Sequence, residues 1–124
     1  MSMPRLLSSA LPRFAWAVCL LLMPLFSADP ADSVRQALRR GALVVDVRTP
    51  SEFAGGHYAG AVNLPLDQIH QRFGELGDGK KPVVVYCHSG RRSAMAKSML
   101  LKHGFQDVWD GGGLHQMPPP DPKK

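Results

Sequence analysis

The chain predicts an α/β fold, a three-layer sandwich with a mainly parallel central sheet flanked by helices. Two observations carry this reading. Strand-like and helix-like segments alternate through the body of the chain, which argues for crossover connections and hence parallel pairing. The runs Leu43-Val-Val-Asp-Val47 and Pro82-Val-Val-Val-Tyr86 have the β-branched, nearly continuous apolar character of strands buried on both faces.

Pro30 to Arg40 reads as the first helix, with Asp29 as N-cap, proline in the first turn, Val34 and Leu38 four apart, and Gly41 as the stop. Leu43 to Val47 follows as a central strand. Thr49-Pro-Ser-Glu52 is a capping box with proline at the first helical position, opening a short helix that Gly55-Gly56 ends. Val62 to Leu64 is a brief strand, Gln68 to Leu76 another short helix, and Gly77-Asp-Gly-Lys-Lys81 a turn. Val83 to Tyr86 then runs into Cys87. Ser93 to His103 has helical periodicity, Gly104 stops it, and Gln106 to Trp109 is expected as the last strand. In sheets of this kind the site lies at the carboxyl ends of the strands, where Asp46, Arg48 and Cys87 fall.

The first 28 residues read as a leader. Arg5 and Arg13 give a positive start, and Phe14 to Phe26 is an apolar stretch of 13 residues ending near Ser27 and Ala28. That is short of the roughly 20 residues a membrane span takes, so cleavage near Ser27 or Ala28 and export, to a periplasm or its equivalent, are expected. Leu25 or Phe26 stands two before the cut, where a small residue is usual, which leaves an uncleaved anchor as the alternative. Cys19 is ordinary filler of the apolar stretch, since Ala17-Val18 before it fits a lipidation box poorly.

Losing 28 of 124 residues leaves 96 and a single thiol, Cys87, so no internal disulfide can form. Two of the 15 basic residues and none of the 10 acidic ones go with the leader, leaving a charge of +3. So mild a balance, with no basic stripe interleaved with aromatics, gives no nucleic-acid partner. Residues 29–117 suffice for one small core. Residues 118–124, Pro-Pro-Pro-Asp-Pro-Lys-Lys, are proline-rich and charged and are expected to be a disordered tail.

Cys87 is the most informative residue. It stands at a strand's carboxyl end, facing a helix start, where loop amides and the helix dipole favour negative charge. Arg91 and Arg92 add to this, so the thiol should ionise more readily than a free one, whose pKa is ~8.5. Gly90 lets the loop curl so that successive amides point inward as a nest for anionic sulfur, with His88, Ser89 and Ser93 completing the cradle. Arg92, five positions after Cys87, is favoured over Arg91 to return a guanidinium to the pocket and hold an oxyanion. Arg91 is then the outward, solvated one. A structural cysteine ending a buried strand is the plainer alternative, but no core position calls for a glycine and two guanidinium groups just after the sulfur.

Three motifs in order, Val45-Asp-Val-Arg48 with Glu52-Phe53, Gly56-His-Tyr-Ala-Gly-Ala-Val-Asn-Leu-Pro65, and Tyr86-Cys-His-Ser-Gly-Arg-Arg-Ser93, resemble the rhodanese family. The resemblance runs from about Val44 to Gly113, and size and leader make the chain similar to exported single-domain thiosulfate sulfurtransferases of the phage shock protein E type. It implies a rhodanese-like sandwich in which Cys87 takes a sulfane sulfur from a small anionic donor such as thiosulfate, carries it as a persulfide, and passes it to a thiophilic acceptor such as cyanide. It also implies that Asp46 and Arg48 brace the site from behind, though a strand-end hydrogen-bonded pair, or an ion pair of Arg48 with Glu52, is the plainer reading of them. No cofactor and no metal is called for, because the histidines are scattered and no second cysteine survives. The chain is expected to act as a monomer.

His57 is expected to support the fold through a hydrogen bond, His103 to complement a helix dipole, and His88 to line the pocket without acting as a base. Related chemistry on similar folds, in certain phosphatases and arsenate reductases, places five residues between Cys and Arg. Here four, His88 to Arg91, separate Cys87 from Arg92, and the tighter cradle favours a single sulfur. A persulfide carrier or binding module without multiple turnover, with a protein thiol as partner, is the other alternative. Rhodanese domains usually follow the last Gly-Gly with a helix carrying an aromatic residue. Here Gly111-Gly-Gly-Leu-His-Gln-Met117 runs into prolines, and Trp109 and Leu114 are expected to cover that edge instead.

Overall fold

A computed structural model describes residues 29–122, so the leader expected over residues 1–28 lies outside the described residues. Four parallel strands form one sheet in the order β2-β1-β3-β4, with β1 at Leu43–Asp46, β2 at Val62–Asn63, β3 at Val83–Cys87 and β4 at Val108–Gly113. The α/β sandwich expected from the alternating segments is the fold found. β1 and β3 are central and pair in register from Leu43 opposite Val83 to Asp46 opposite Tyr86.

The first helix, α1 at Pro30–Arg39, begins as its sequence dictates: the Asp29 carboxylate accepts from the Ala31 amide at 3.0 Å, and proline fills the first turn. It ends at Gly41, whose φ of +85° closes the turn that a side chain would resist. The Thr49 box forms fully around α2, Pro50–Ala54, with the Thr49 hydroxyl accepting from the Glu52 amide and the Glu52 carboxylate accepting from the Thr49 amide. Residues 66–76 form a bent segment in which α3, Ile69–Arg72, is flanked by two 3-10 turns. The long helix α4, Arg91–Lys102, starts at Gly90, held at φ +93°, and is capped by His103.

The pleat splits the core in two. Val83, Val85 and Cys87 of β3 face α4, burying against Ala96, Leu100, Phe105 and Ile69. Val84 and Tyr86, pointing the other way, pack with Val34 and Ala37 of α1 and with Met117. Trp109 and Leu114 join this second layer, as expected of residues covering the edge where the chain turns into prolines. The Tyr58 hydroxyl donates to the Pro118 carbonyl at 2.8 Å, and Pro118 is buried.

The last strand departs from expectation. It runs from Val108 through the glycines to Gly113, not from Gln106 to Trp109. Phe105 turns into the core, the Gln106 amide donates to the Gly79 carbonyl at 3.0 Å, and Asp107 is drawn aside by Arg40. Residues 105–107 are thus a tertiary anchor, and the ladder begins at the last of them, where the Asp107 carbonyl accepts from the Val83 amide at 2.9 Å. Gly111 to Gly113, whose β propensity is poor, form the carboxyl half of the strand.

Candidate active site

Cys87 is the last residue of β3 and lies opposite Gly113 of β4, just past an irregularity in the ladder that frees the end of the strand. Its side chain is fully buried. Residues 88–90 then fold back over the sulfur. The Gly90 amide donates to Cys87 Sγ at 2.9 Å, which the left-handed Gly90 backbone makes reachable, and the thiol in turn reaches Ser93 Oγ at 3.6 Å. Ser93, buried in the first turn of α4, donates to the Gly90 carbonyl at 3.0 Å and so pins the loop it belongs to.

Two opposed effects set the thiol's acidity. Burial pushes it up, and hydrogen bonds from the Ser93 backbone and hydroxyl and from the Gly90 and Ser89 backbones pull it down; the net result is a thiol more acidic than an ordinary cysteine. The expectation of an easily ionised sulfur therefore rests on the loop's own groups.

The glycines of β4 complete the wall. A side chain at Gly113 would put its Cβ 2.3 Å from the His88 carbonyl oxygen, and one at Gly90 would put its Cβ 3.5 Å from the Gly112 Cα. The Cys87 loop passes so closely that β4 needs bare backbone at Gly113, whereas at Gly90 the contact is an ordinary one and the left-handed φ of +93° is what calls for glycine. Gln116 stitches the turn after β4 by accepting from the Gly113 amide at 2.8 Å. His88 and Ser89 are exposed at the mouth, and His115 stands edge-on to His88 with ring centres 6.3 Å apart.

The two arginines divide as expected in exposure, Arg91 outward and Arg92 half-buried. Arg92 is not turned on the sulfur alone, however. Both its terminal nitrogens donate to Glu52, at 2.8 and 3.0 Å, while the sulfur's charge acts on it only as a weaker, more distant influence. Arg91 has no ion-pair partner among the described residues.

Asp46 and Arg48 form a strand-end pair: the guanidinium grips both carboxylate oxygens at 2.7 to 3.1 Å, and the Arg48 amide donates to the same carboxylate at 2.9 Å. Tyr86 adds a third donor at 2.8 Å, and Asn63 bonds the Asp46 and Arg48 carbonyls. Because Asp46 is registered with Tyr86, this network lies on the face of the sheet away from Cys87 Sγ, fixing the strand ends and not touching the loop. The ion pair of Arg48 with Glu52 is absent, since Asp46 claims Arg48 and Arg92 claims Glu52. His57 accepts the role expected of it, with Nδ1 2.9 Å from the Phe53 carbonyl and its ring stacked on Phe53. His103 caps α4 and meets His70, with Nδ1 and Nε2 2.8 Å apart, a contact no local pattern signals.

A cavity of about 740 Å³ lies elsewhere, between α1, Tyr58–Gly60 and the proline-rich segment. No cysteine, serine, threonine or histidine lines it, and we take the Cys87 loop as the centre of the chemistry.

Residues 30–113 match the family model for the rhodanese-like domain. The chain is 36% identical over 80 residues to thiosulfate sulfurtransferase PspE of Escherichia coli K12, covering 64% of this chain and 77% of the relative. It is 37% identical over 89 residues to thiosulfate sulfurtransferase GlpE of Pseudomonas fluorescens, covering 70% and 81%. It spans only 56% of the length of another relative, the uncharacterized YqhL of Bacillus subtilis, to which it is 44% identical over 71 residues, or 57% of this chain. Among solved structures, one described as a rhodanese with anions from E. coli superposes with a TM-score of 0.59 at 36% identity, covering 62% of this chain and 94% of that one.

Proposed function

The chain belongs to the rhodanese family, and on that premise we propose that it is a thiosulfate sulfurtransferase working through a persulfide on Cys87. The observation that carries this reading is the sulfur itself, held at 2.9 Å by the Gly90 amide in a loop that makes it more acidic than an ordinary cysteine. Thiolate, not thiol, attacks sulfur.

The Cys87 thiolate attacks the outer sulfur of thiosulfate. A new sulfur–sulfur bond forms on Cys87, the bond inside thiosulfate breaks, and sulfite leaves with its electron pair. The persulfide then carries the negative charge where the loop amides were facing the thiolate. A thiophilic acceptor such as cyanide attacks the outer sulfur, the Cys87–sulfur bond breaks, and the thiolate returns. No proton is moved, so His88 has no acid or base to be. Donor and acceptor enter past His88, Ser89 and Arg91, the exposed residues of the loop. The leader-like residues 1–28 support an exported enzyme.

Mass spectrometry of the purified protein after exposure to thiosulfate tests the reading. The expected result is one added sulfur on Cys87, removed by cyanide and absent from Cys87→Ser. No adduct, together with phosphate release from an aryl phosphate, would replace it with the phosphatase reading.

A further inference from the structure

Resting on the persulfide reading, we propose that the outward face of α4 is a docking surface for an acidic, thiol-bearing protein that takes the sulfur from Cys87. The face begins in the catalytic loop. Arg91, Ala94, Met95, Ser98, Leu101 and Lys102 are all exposed, and at 3.6 residues per turn they share one side of the helix. Met95 stands one turn on from Arg91, beside the mouth.

Three features set this face apart from an ordinary solvated one. First, it holds Met95 and Leu101, 52% and 46% exposed, two of the three large apolar side chains exposed among the described residues. Second, the charged residues of the face, Arg91 and Lys102, are both cations, and α4 carries no carboxylate. Neither has an ion-pair partner among the described residues. Third, Arg91 sits in the first turn, where the helix dipole disfavours a cation. Arg92 in the same turn is compensated by Glu52, and Arg91 is not. An incoming carboxylate would supply the missing charge.

Burial of the sulfur gives the face its use. Cys87 is fully covered, so a partner's thiolate must be brought to the mouth and held there while it attacks. The acceptor thiolate bonds to the outer persulfide sulfur, the Cys87–sulfur bond breaks, and the Cys87 thiolate is restored with no oxidant or reductant consumed. A second copy of this chain is a poor occupant, because like cations would meet. Met95 and Leu101 lie on opposite shoulders of the face with Arg91 and Lys102 between them, which suits a mixed protein rim better than a lipid surface.

The test uses two single-cysteine peptides of equal length, one rich in aspartate and glutamate, the other rich in lysine. Protein loaded with thiosulfate is expected to lose its sulfur to the acidic peptide about tenfold faster at low salt, with the gap closing as salt is raised. Lys102→Glu and Met95→Asp should each cut that preference several-fold and leave discharge by cyanide unchanged. Equal rates for the two peptides, or a preference that survives both variants, would overturn the proposal. So would retention of the protein on anionic phospholipid vesicles that Lys102→Glu abolishes, which would make the face a membrane contact. If thiosulfate fails to load Cys87, the functional reading fails instead. The docking face is then read directly, from binding of the acidic peptide with its cysteine changed to serine, which should weaken in Lys102→Glu.

Discussion

Arg92 and Glu52, 40 residues apart in sequence, join end to end through two hydrogen bonds of 2.8 and 3.0 Å and tie the helix behind the Cys87 loop to the short helix after β1. Glu52 is itself held by the Thr49 cap, so the tie has a fixed anchor at its far end. Each side chain is about a third exposed, which limits the pair's worth.

The Arg92 hydrogen bonds, aided by Thr49, bring the Glu52 carboxyl down to about 2. A carboxylate depressed on folding stabilises the folded chain above its unfolded pKa of ~4.3, and that contribution fades as pH falls toward its folded value. Glu52→Gln should therefore destabilise by about 1 kcal/mol or less at neutral pH. The gap between variant and parent should close between pH 4 and pH 2, approximately the window those two pKa values define. Urea unfolding across that range reads it, and a gap constant with pH would mean that shape and not charge makes the tie.

How far the sequence leads depends on how local the cause is. Thr49-Pro-Ser-Glu52 specified its capping box within four residues, and Gly41 specified a helix stop by its backbone alone. The position of Cys87 between a strand end and a helix start is legible because the buried apolar run and the helix bracket it in sequence. Glu52's second role was invisible, since its partner comes from the other end of the domain and Arg48 stands nearer in sequence. The carboxyl half of β4 was hidden for another reason. Gly113 is bare because the His88 carbonyl leaves no room for a Cβ, Gly111 lies against the Met117 side chain and the Val85 carbonyl, and Gly112 holds a left-handed φ of +74°, constraints imposed by neighbours and by the turn, not by strand propensity.

That crowding predicts what Gly113→Ala does. Its Cβ meets the His88 carbonyl at 2.3 Å, and backbone on both sides cannot yield as a flexible side chain can. The loop must shift, at a cost of about 1–3 kcal/mol. Sulfur transfer should fall by roughly tenfold or more, since the Gly90 amide moves with the loop. Steady-state thiosulfate:cyanide assays and a melting curve would show both losses together; activity unchanged in a destabilised protein would separate β4 from the loop.

Across the sheet, Asp46 carries the buried network. Its side chain is fully buried and that of Arg48 is 7% exposed, so Asp46→Ala would strand a guanidinium with no countercharge. The expected loss is about 3–5 kcal/mol. Tyr86→Phe removes a hydroxyl that donates to Asp46 and accepts from the Tyr58 amide, and should cost about 1–3 kcal/mol by leaving that amide unsatisfied. Denaturant melts of the two variants should keep this order. Because the network lies on the face away from the sulfur, the thiosulfate KM of folded Tyr86→Phe should match the parent's.

Ser93 offers the sharpest test of how the loop tunes its sulfur. Burial alone would raise the Cys87 pKa, so its lowering has to come from the donors around it, with Ser93's backbone and hydroxyl first among them. Ser93→Ala deletes the hydroxyl and keeps the amide. It also removes the bond from Ser93 Oγ to the Gly90 carbonyl, which holds the loop closed at 3.0 Å. The thiolate's ultraviolet absorbance should therefore appear at higher pH in Ser93→Ala than in the parent. Transfer from thiosulfate at neutral pH should drop by about tenfold, the loss of one charge-assisted hydrogen bond. Raising the pH should recover part of that loss, because a less acidic thiol is only less ionised, not less nucleophilic once ionised. A deficit that pH leaves untouched would assign Ser93 to loop closure and leave the acidity to the amides of Ser89 and Gly90.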